Sequence, residues 1–332
     1  MSMKNELHKC RTTSQVIHLL IDIAEIVGHL EGVKLLKPNP GLRRRNRIQT
    51  IQASLSIEGN SLTSDQVTAL LDNKRVIGPG QDILAAQNAI RAYGRLDGFD
   101  PFSITSFLKA HEILMEGLIT SAGTLRTGPI GVIRQGEIFH EAPSWENVDP
   151  MMQTLFAYLK KNDDHLLLKS SRFHFQLEHI HPFVDGNGRM GRLWQTCLLM
   201  AYHPIFEFLP VADFIKKRQS GYYRELAIGD DTGDCTGFVV FMLSVIRESL
   251  QELMVETRSV RLTASVRLEM AAHSFGDHSF SRRDYQSFFK TISTATASRD
   301  LKEGVKKGLL EKTGDKRTAI YKRLKVEGMG HG

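Results

Sequence analysis

Apolar residues recur at helical spacing through most of this chain, and that period limits it to a mainly α-helical body. Val16, Leu19, Leu20, Ile23, Val27 and Leu30 fall at i, i+3, i+4, i+7, i+11 and i+14, one face of one helix. Pro38, Asn39, Pro40 and Gly41 interrupt it. Arg43, Arg44, Arg45 and Arg47 then lead a second helix that buries Ile48, Ile51 and Leu55 and stops at Gly59-Asn60. Ser64 is expected to cap a short helix through Leu71. Further helices are expected over 82–96, from a Ser103 cap through Leu118, from Pro150, over about 165–180 and 188–202, and over 219–228 and 236–257.

Two stretches break the helical rule. Gly123, Gly128, Pro129, Gly131 and Gly136 leave no room for a helix between 120 and 143. Val132-Ile133 and Ile138-Phe139 flank a four-residue connection there, the pattern of a β-hairpin. Near the end, a short helix over 281–289 precedes one capped by Ser293 or Thr294 and stopped by Gly308. Strand-like pieces at 309–312 and 319–322 follow, with a turn over 313–316. Helix, turn, helix and hairpin together resemble a winged helix-turn-helix.

Composition sets the outer limits. The chain has 332 residues, 41% hydrophobic and 24% charged, enough to bury sizeable cores without disulfide or metal staples. Cys10, Cys197 and Cys235 are odd in number, far apart in sequence and form no C-x-x-C. That argues against a disulfide framework and for a reducing, cytoplasmic location. No apolar run is long enough to span a membrane. The net charge of +6 is unevenly placed. Residues 258–332 carry 16 basic against 8 acidic groups, while the preceding 257 carry 27 against 29. A basic tail of this kind suits nucleic acid or another acidic surface.

The chemistry concentrates in His181-Pro182-Phe183-Val184-Asp185-Gly186-Asn187-Gly188-Arg189-Met190-Gly191-Arg192. Two glycines within three residues, at a loop opening a helix, let backbone N–H groups converge as an anion nest. Arg189 and Arg192 sit at i and i+3 of the first turn, where basic residues oppose the macrodipole. They are unfavourable there unless a polyanion such as a di- or triphosphate fills the site. Asp185 is a hard oxygen donor suited to Mg²⁺. His181 can serve as a general base near neutral pH, and Asn187 can donate to a phosphate oxygen.

The twelve residues resemble the Fic (filamentation induced by cAMP) motif, H-x-F-x-[DE]-G-N-G-R-x-x-R, at every fixed position. The resemblance covers roughly residues 10–250, and the tail is similar to the winged-helix extension of some bacterial members. It implies a Fic-type helical core with the hairpin of 130–140 as a flap, preceded by Gly123-Thr124-Leu125-Arg126. It also implies transfer of AMP from ATP to a Ser, Thr or Tyr hydroxyl of a protein, another chain or this one. In that scheme His181 takes the hydroxyl proton, Asp185 holds Mg²⁺, and Gly186, Asn187, Gly188 and Arg189 bind phosphates. Arg192 reaches the γ-phosphate, and the flap aligns the target by strand addition. Tyr222 and Tyr223 occupy the place from which the family often presents a tyrosine to adenine. Core packing explains that pair as well.

Ser54-Leu55-Ser56-Ile57-Glu58-Gly59 resembles the family's inhibitory motif, [ST]-x-x-x-E-[GN]. Ser54 and Glu58 stack at i and i+4, and Glu58 falls at a helix end where a cation is preferred. The resemblance implies that Glu58 pairs with Arg192 in the γ-phosphate position, and it brings hydrolytic removal of AMP into play. The expected organisation is an N-terminal helical region over 1–100 with an inhibitory helix at about 43–60, a Fic catalytic core over 101–257, and a winged-helix-like domain over 258–332. Homodimers are common in the family.

A second reading stays open: a DNA-binding regulator or partner-docking protein that uses 258–332, with the Fic core as nucleotide sensor. Ser298, Arg299, Lys302 and Lys306, with Lys316 and Arg317 in the wing, are its candidate contacts. A zinc reading of His165, His174, His179 and His181 is disfavoured. No H-E-x-x-H or helpful cysteine is present, and Glu178-His179-Ile180-His181 spaces two histidines wrongly for one helical face.

Overall fold

A computed structural model of the chain describes residues 7–32, 38, 40–134, 137–161, 163–259, 264–276, 278–289, 292–315 and 318–324. Two compact units divide the chain, residues 1–255 and 256–332.

The first unit opens with α1 (Ser14–Gly32) and α2 (Pro40–Ile57). The α1 stripe is buried as its period requires, with Val16 and Ile23 fully enclosed. The short α3 (Ser64–Leu71) begins one residue earlier than its sequence suggests: Thr63, not Ser64, is the cap. Its hydroxyl accepts from Gln66 N while the Gln66 side chain accepts from Thr63 N, a capping box. Next come α4 (Gly80–Tyr93) and α5 (Ile104–Met115), the latter capped by Ser103 as expected. The glycine-rich segment forms strands β1 (Gly131–Arg134) and β2 (Glu137–Glu141), antiparallel with a bulge between Val132 and Ile133. The helix expected from Pro150 starts at Val148, making α6 (Val148–Lys161). Then follow α7 (Leu166–Ile180), α8 (Asn187–Tyr202), α9 (Val211–Lys217), α10 (Gln219–Thr232) and α11 (Thr236–Ser259), which runs across the unit boundary.

Two apolar cores fill this unit. One gathers α4–α8 around Phe107, Phe173, Phe183 and Trp194. The other gathers α1 and α7–α11 around Phe175, Phe206, Tyr222 and Phe238. Helix α2 serves both, giving Ile51 and Leu55 to the first and Leu42 and Ile57 to the second. Each such side chain contributes roughly 1.5–3 kcal/mol by leaving water. Held on two sides, α2 has a fixed end, and that end meets the start of α8.

The second unit holds α12 (Ala264–Phe275), β3 (Phe280–Ser281), α13 (Arg282–Phe288), α14 (Thr294–Lys306), β4 (Leu310–Thr313) and β5 (Ile320–Arg323). Ser293 is the α14 cap. The strands form an antiparallel sheet in the order β3-β5-β4. Leu268, Phe280, Tyr285, Leu301 and Leu310 make its core. A two-pronged ion pair from Arg267 to buried Asp300 (2.5 and 2.8 Å) ties α12 to α14. Lys316 and Arg317 lie outside the described residues. The mainly helical class with a hairpin is the one expected. Helices α9 and α12 and strand β3 are additions to it.

Candidate active site

Helix α7 ends at His181, whose backbone turns left-handed (φ 49°, ψ 60°) and whose N–H closes the helix on Leu177 O at 2.9 Å. A non-glycine residue rarely adopts this conformation, and strain of about 1–3 kcal/mol is retained only where neighbours enforce it. Arg126 is the enforcer. Nearly buried, it donates to His181 O (2.8 Å), Ile180 O (3.3 Å), Gly128 O (3.1 Å) and Pro143 O (2.6 Å). Its own N–H bonds Pro182 O at 2.9 Å. Burial lowers its pKa, yet a guanidinium stays charged. Here it faces carbonyls at a helix C-terminus, where a cation is favoured.

The loop after His181 is held from behind. Phe183 is fully buried and stacks on His111 at 3.5 Å, with the rings 4° from parallel. Nδ1 of His111 accepts from Gly123 N (2.9 Å), so its other nitrogen, Nε2, carries the proton and donates to Asp185 O (3.0 Å). Burial holds His111 down to about 4, so it is neutral at physiological pH. Gly186 takes φ 88°, and a Cβ there would fall 2.7 Å from Met115 Sδ. Only glycine fits both the space and the backbone angle.

Asn187 braces the loop: Oδ1 accepts from Phe183 N and Nδ2 donates to Phe183 O, both at 2.9 Å. Both polar ends of this buried amide therefore hold the loop backbone, and a second Nδ2 hydrogen remains.

Asp185 stands at the open edge, its side chain 57% exposed. One oxygen accepts from Gly186 N (2.5 Å) and from Arg189 Nη2 (3.0 Å). A hard, hydrated carboxylate beside a glycine turn fits Mg²⁺, which keeps several of its waters. Arg189 and Arg192 are nearly buried, and Arg189 Nε and Arg192 Nη1 have no hydrogen-bond partner. Buried unsatisfied donors are costly, and an anion at the turn would satisfy them.

From α2, Ser54 meets Arg192 twice, Nε donating to Oγ (3.0 Å) and Nη2 to the carbonyl (2.9 Å). Glu58, just past the helix end, accepts from Arg192 Nη2 at 2.7 Å. Its carboxylate lies against Gly188, where a Cβ would overlap Oε1. Burial alone would lower the Arg192 pKa, but the charges of Glu58, Tyr222 and Glu178 raise it on balance.

Behind α8, His174 bridges Gln195 (2.8 Å) and the Tyr222 hydroxyl (3.0 Å), which donates to Glu178 (3.2 Å). Burial opposes Glu178 ionisation. The His174 hydrogen bond and the charges of His174, His181 and Arg192 outweigh it and hold the carboxyl at about 2. Tyr222 is therefore buried in this network, the core-packing alternative. Tyr223 is half-buried at the margin, where its hydroxyl accepts from Gln219 Nε2 (3.4 Å), which also reaches Ile57 O beside Glu58.

Sequence reasoning had no role for His111, and quoted Arg126 without one. His111 reads as one polar member of an apolar stripe. Arg126 acts on carbonyls more than fifty residues away.

The Fic/DOC family profile matches residues 101–199. A crystal structure of a Fic family protein from Desulfovibrio desulfuricans is 35% identical, with a TM-score of 0.74 over 98% of this chain and 100% of that one. Fic-1 from C. elegans shares the fold at 19% identity and TM-score 0.60 over 74% of each chain. The protein adenylyltransferase Fic of Drosophila grimshawi is 27% identical over 230 residues, 64% of this chain and 44% of that protein. The chain thus spans less than half the length of such curated relatives. Among the described residues, no helix is long and apolar enough to cross a membrane.

Proposed function

The chain belongs to the Fic family, and on that premise we propose that it is a protein adenylyltransferase restrained by its own Glu58. The observation that carries the proposal is that Arg192 already holds one anion, the Glu58 carboxylate, against Gly188 at the start of α8. A site shaped to take a carboxylate there, with two further guanidinium nitrogens unsatisfied, suits the phosphates of ATP.

In the proposed reaction His181 takes the proton from a Ser, Thr or Tyr hydroxyl of the target protein. The hydroxyl oxygen forms a bond to the α-phosphorus as the α–β phosphoanhydride bond breaks. AMP stays on the target, pyrophosphate leaves, and the proton rests on the imidazole until it passes to water. Arg126 and the left-handed turn fix where that imidazole starts. Backbone groups of Gly186, Asn187 and Gly188, with Arg189, cradle the phosphates. Asp185 would hold Mg²⁺, which when bound neutralises phosphate charge. Arg192 takes the γ-phosphate once Glu58 yields it, and the β1–β2 edge aligns the target backbone. With Glu58 in place the γ-phosphate is excluded. The same carboxylate is suited to support hydrolytic removal of AMP.

The test is a Glu58→Gly variant incubated with α-labelled ATP, Mg²⁺ and lysate. Labelled protein bands stronger than those of the parent, and absent with His181→Ala, are expected. A blank gel with the variant would overturn the transferase reading, and equal labelling by parent and variant would overturn the restraint.

A second reading concerns the C-terminal unit alone. Arg299, Lys302 and Lys306 are exposed at i, i+3 and i+7 of α14, one basic stripe suited to nucleic-acid phosphates. A DNA shift by the full chain that weakens steeply with salt is expected on this reading, and no binding at low salt would remove it.

A further inference from the structure

Among the described residues, one group of side chains has metal-ligand chemistry and no part in the reaction above. We infer that His8, His179 and Asp230 form a binding site for a divalent transition cation, zinc by the nature of its donors. The three residues come from the N-terminal segment, the last turn of α7 and the last turn of α10. One ligand atom from each lies within 4.8 Å of the others. His179 Nδ1 is 2.7 Å from Asp230 Oδ1, with both side chains under one-fifth exposed. The His8 ring stands edge-on to His179 at 4.2 Å.

The site is held from outside, as a metal site requires. His8 is fixed by Arg172, which donates to its carbonyl at 2.7 Å. The neighbouring Lys9 pairs with the connection between α10 and α11 through Lys9 N to Gly233 O (2.9 Å) and Cys235 N to Lys9 O (2.8 Å). The His8 ring packs on Phe175. Its Nδ1 faces Oε1 of Gln176 at 3.4 Å, and Gln176 is fully buried with an otherwise unpartnered amide nitrogen. A buried acceptor on one imidazole nitrogen orients the ring, the kind of supporting contact that metal-ligating histidines carry.

Two imidazoles and one carboxylate are the three-ligand set of an open tetrahedral zinc site, in which water takes the fourth position. Magnesium favours oxygen donors and would not choose this set. Ligand atoms around zinc sit about 3.3 Å apart for bonds near 2.0–2.1 Å. The His179–Asp230 contact therefore opens slightly, and the His179 ring keeps its one proton on Nε2, leaving the Nδ1 lone pair for the cation. Of the other histidines near this helix end, His174 goes to the Tyr222 network. The partners of His179 come instead from distant parts of the chain. Because His179 is two residues before His181, zinc would tie the N-terminal segment to the helix that carries the proposed base.

The test uses the full chain, free of any polyhistidine tag and stripped of metal, titrated with Zn²⁺ and separately with Mg²⁺, with metal content measured after dialysis. One zinc per chain, unaffected by Mg²⁺, and a higher Tm with zinc are expected. His8→Ala and Asp230→Asn should each weaken zinc binding about tenfold or more, with the metal-free Tm near that of the parent. Cys10→Ser should bind as the parent does. No retained zinc, parental affinity in either ligand variant, or loss of binding in Cys10→Ser would overturn the assignment. None of these readouts depends on ATP or transfer activity.

Discussion

The rear and the front of the glycine turn are built on opposite principles. Behind it, His111, Phe183, Asn187 and Arg126 are buried, and their hydrogen bonds close on one another and on the loop backbone. In front, Glu58 stands at a helix end, 35% exposed, and meets one guanidinium that is 2% exposed. A rear wall that over-determines its geometry presents the turn in one shape. A front contact made by one carboxylate can be exchanged for another anion, since an incoming phosphate would restore the charge-assisted hydrogen bond that Arg192 gives up. The difference teaches that the scaffold is rigid and its occupant replaceable, which is what a restrained phosphate site needs.

Four changes would break or sharpen that contrast. The largest effect is expected from His181→Ala in a Glu58→Gly background. Transfer should fall by about 10²–10⁴, the usual worth of a positioned general base, with circular dichroism unchanged. Retained labelling would remove His181 from the chemistry. Next is acid. His111 has its pKa lowered by burial from 6.5 to about 4, so the fold favours the neutral ring. The stability this gives is complete above 6.5 and is lost as pH falls toward 4. Denaturant titrations should lose about 3 kcal/mol across that window. His111→Gln should flatten the slope there, and an unchanged slope would place the acid sensitivity elsewhere. Third, Asn187→Ala leaves the N–H and C=O of Phe183 without partners in a buried place, at about 2 kcal/mol or more. Its Tm should drop and transfer should fall with it. The smallest effect is at the front. Glu58→Gly should raise labelling by about tenfold, close to 1.4 kcal/mol, while costing less stability than Asn187→Ala. A larger stability loss at Glu58 than at Asn187 would invert the picture.

Much of this was legible in the sequence, for local reasons. The 181–192 pattern and the Ser54–Glu58 pair are short strings whose chemistry is fixed by residue type and spacing. Long helices such as α1, α7 and α8 carry enough turns for their stripes to show. Helix α9 has seven residues, too few for a period, and β3 has two. Tyr222 and Tyr223, adjacent on a helix, must point in different directions, and no local rule says which is buried. Cys10 and Cys235 read as remote thiols, yet the fold brings them near enough for each to shift the other's pKa, Cys10 downward and Cys235 upward. Arg126, His8 and Asp230 take their meaning from partners brought by the fold, and no string around them announces it.

The left-handed bend at position 181 also governs how an inert form should be made. Asparagine tolerates that geometry better than other side chains, and a β-branched residue there is an outlier. A trap meant to hold targets without modifying them is therefore better built as His181→Asn than as His181→Val, which would lose its shape along with its reactivity.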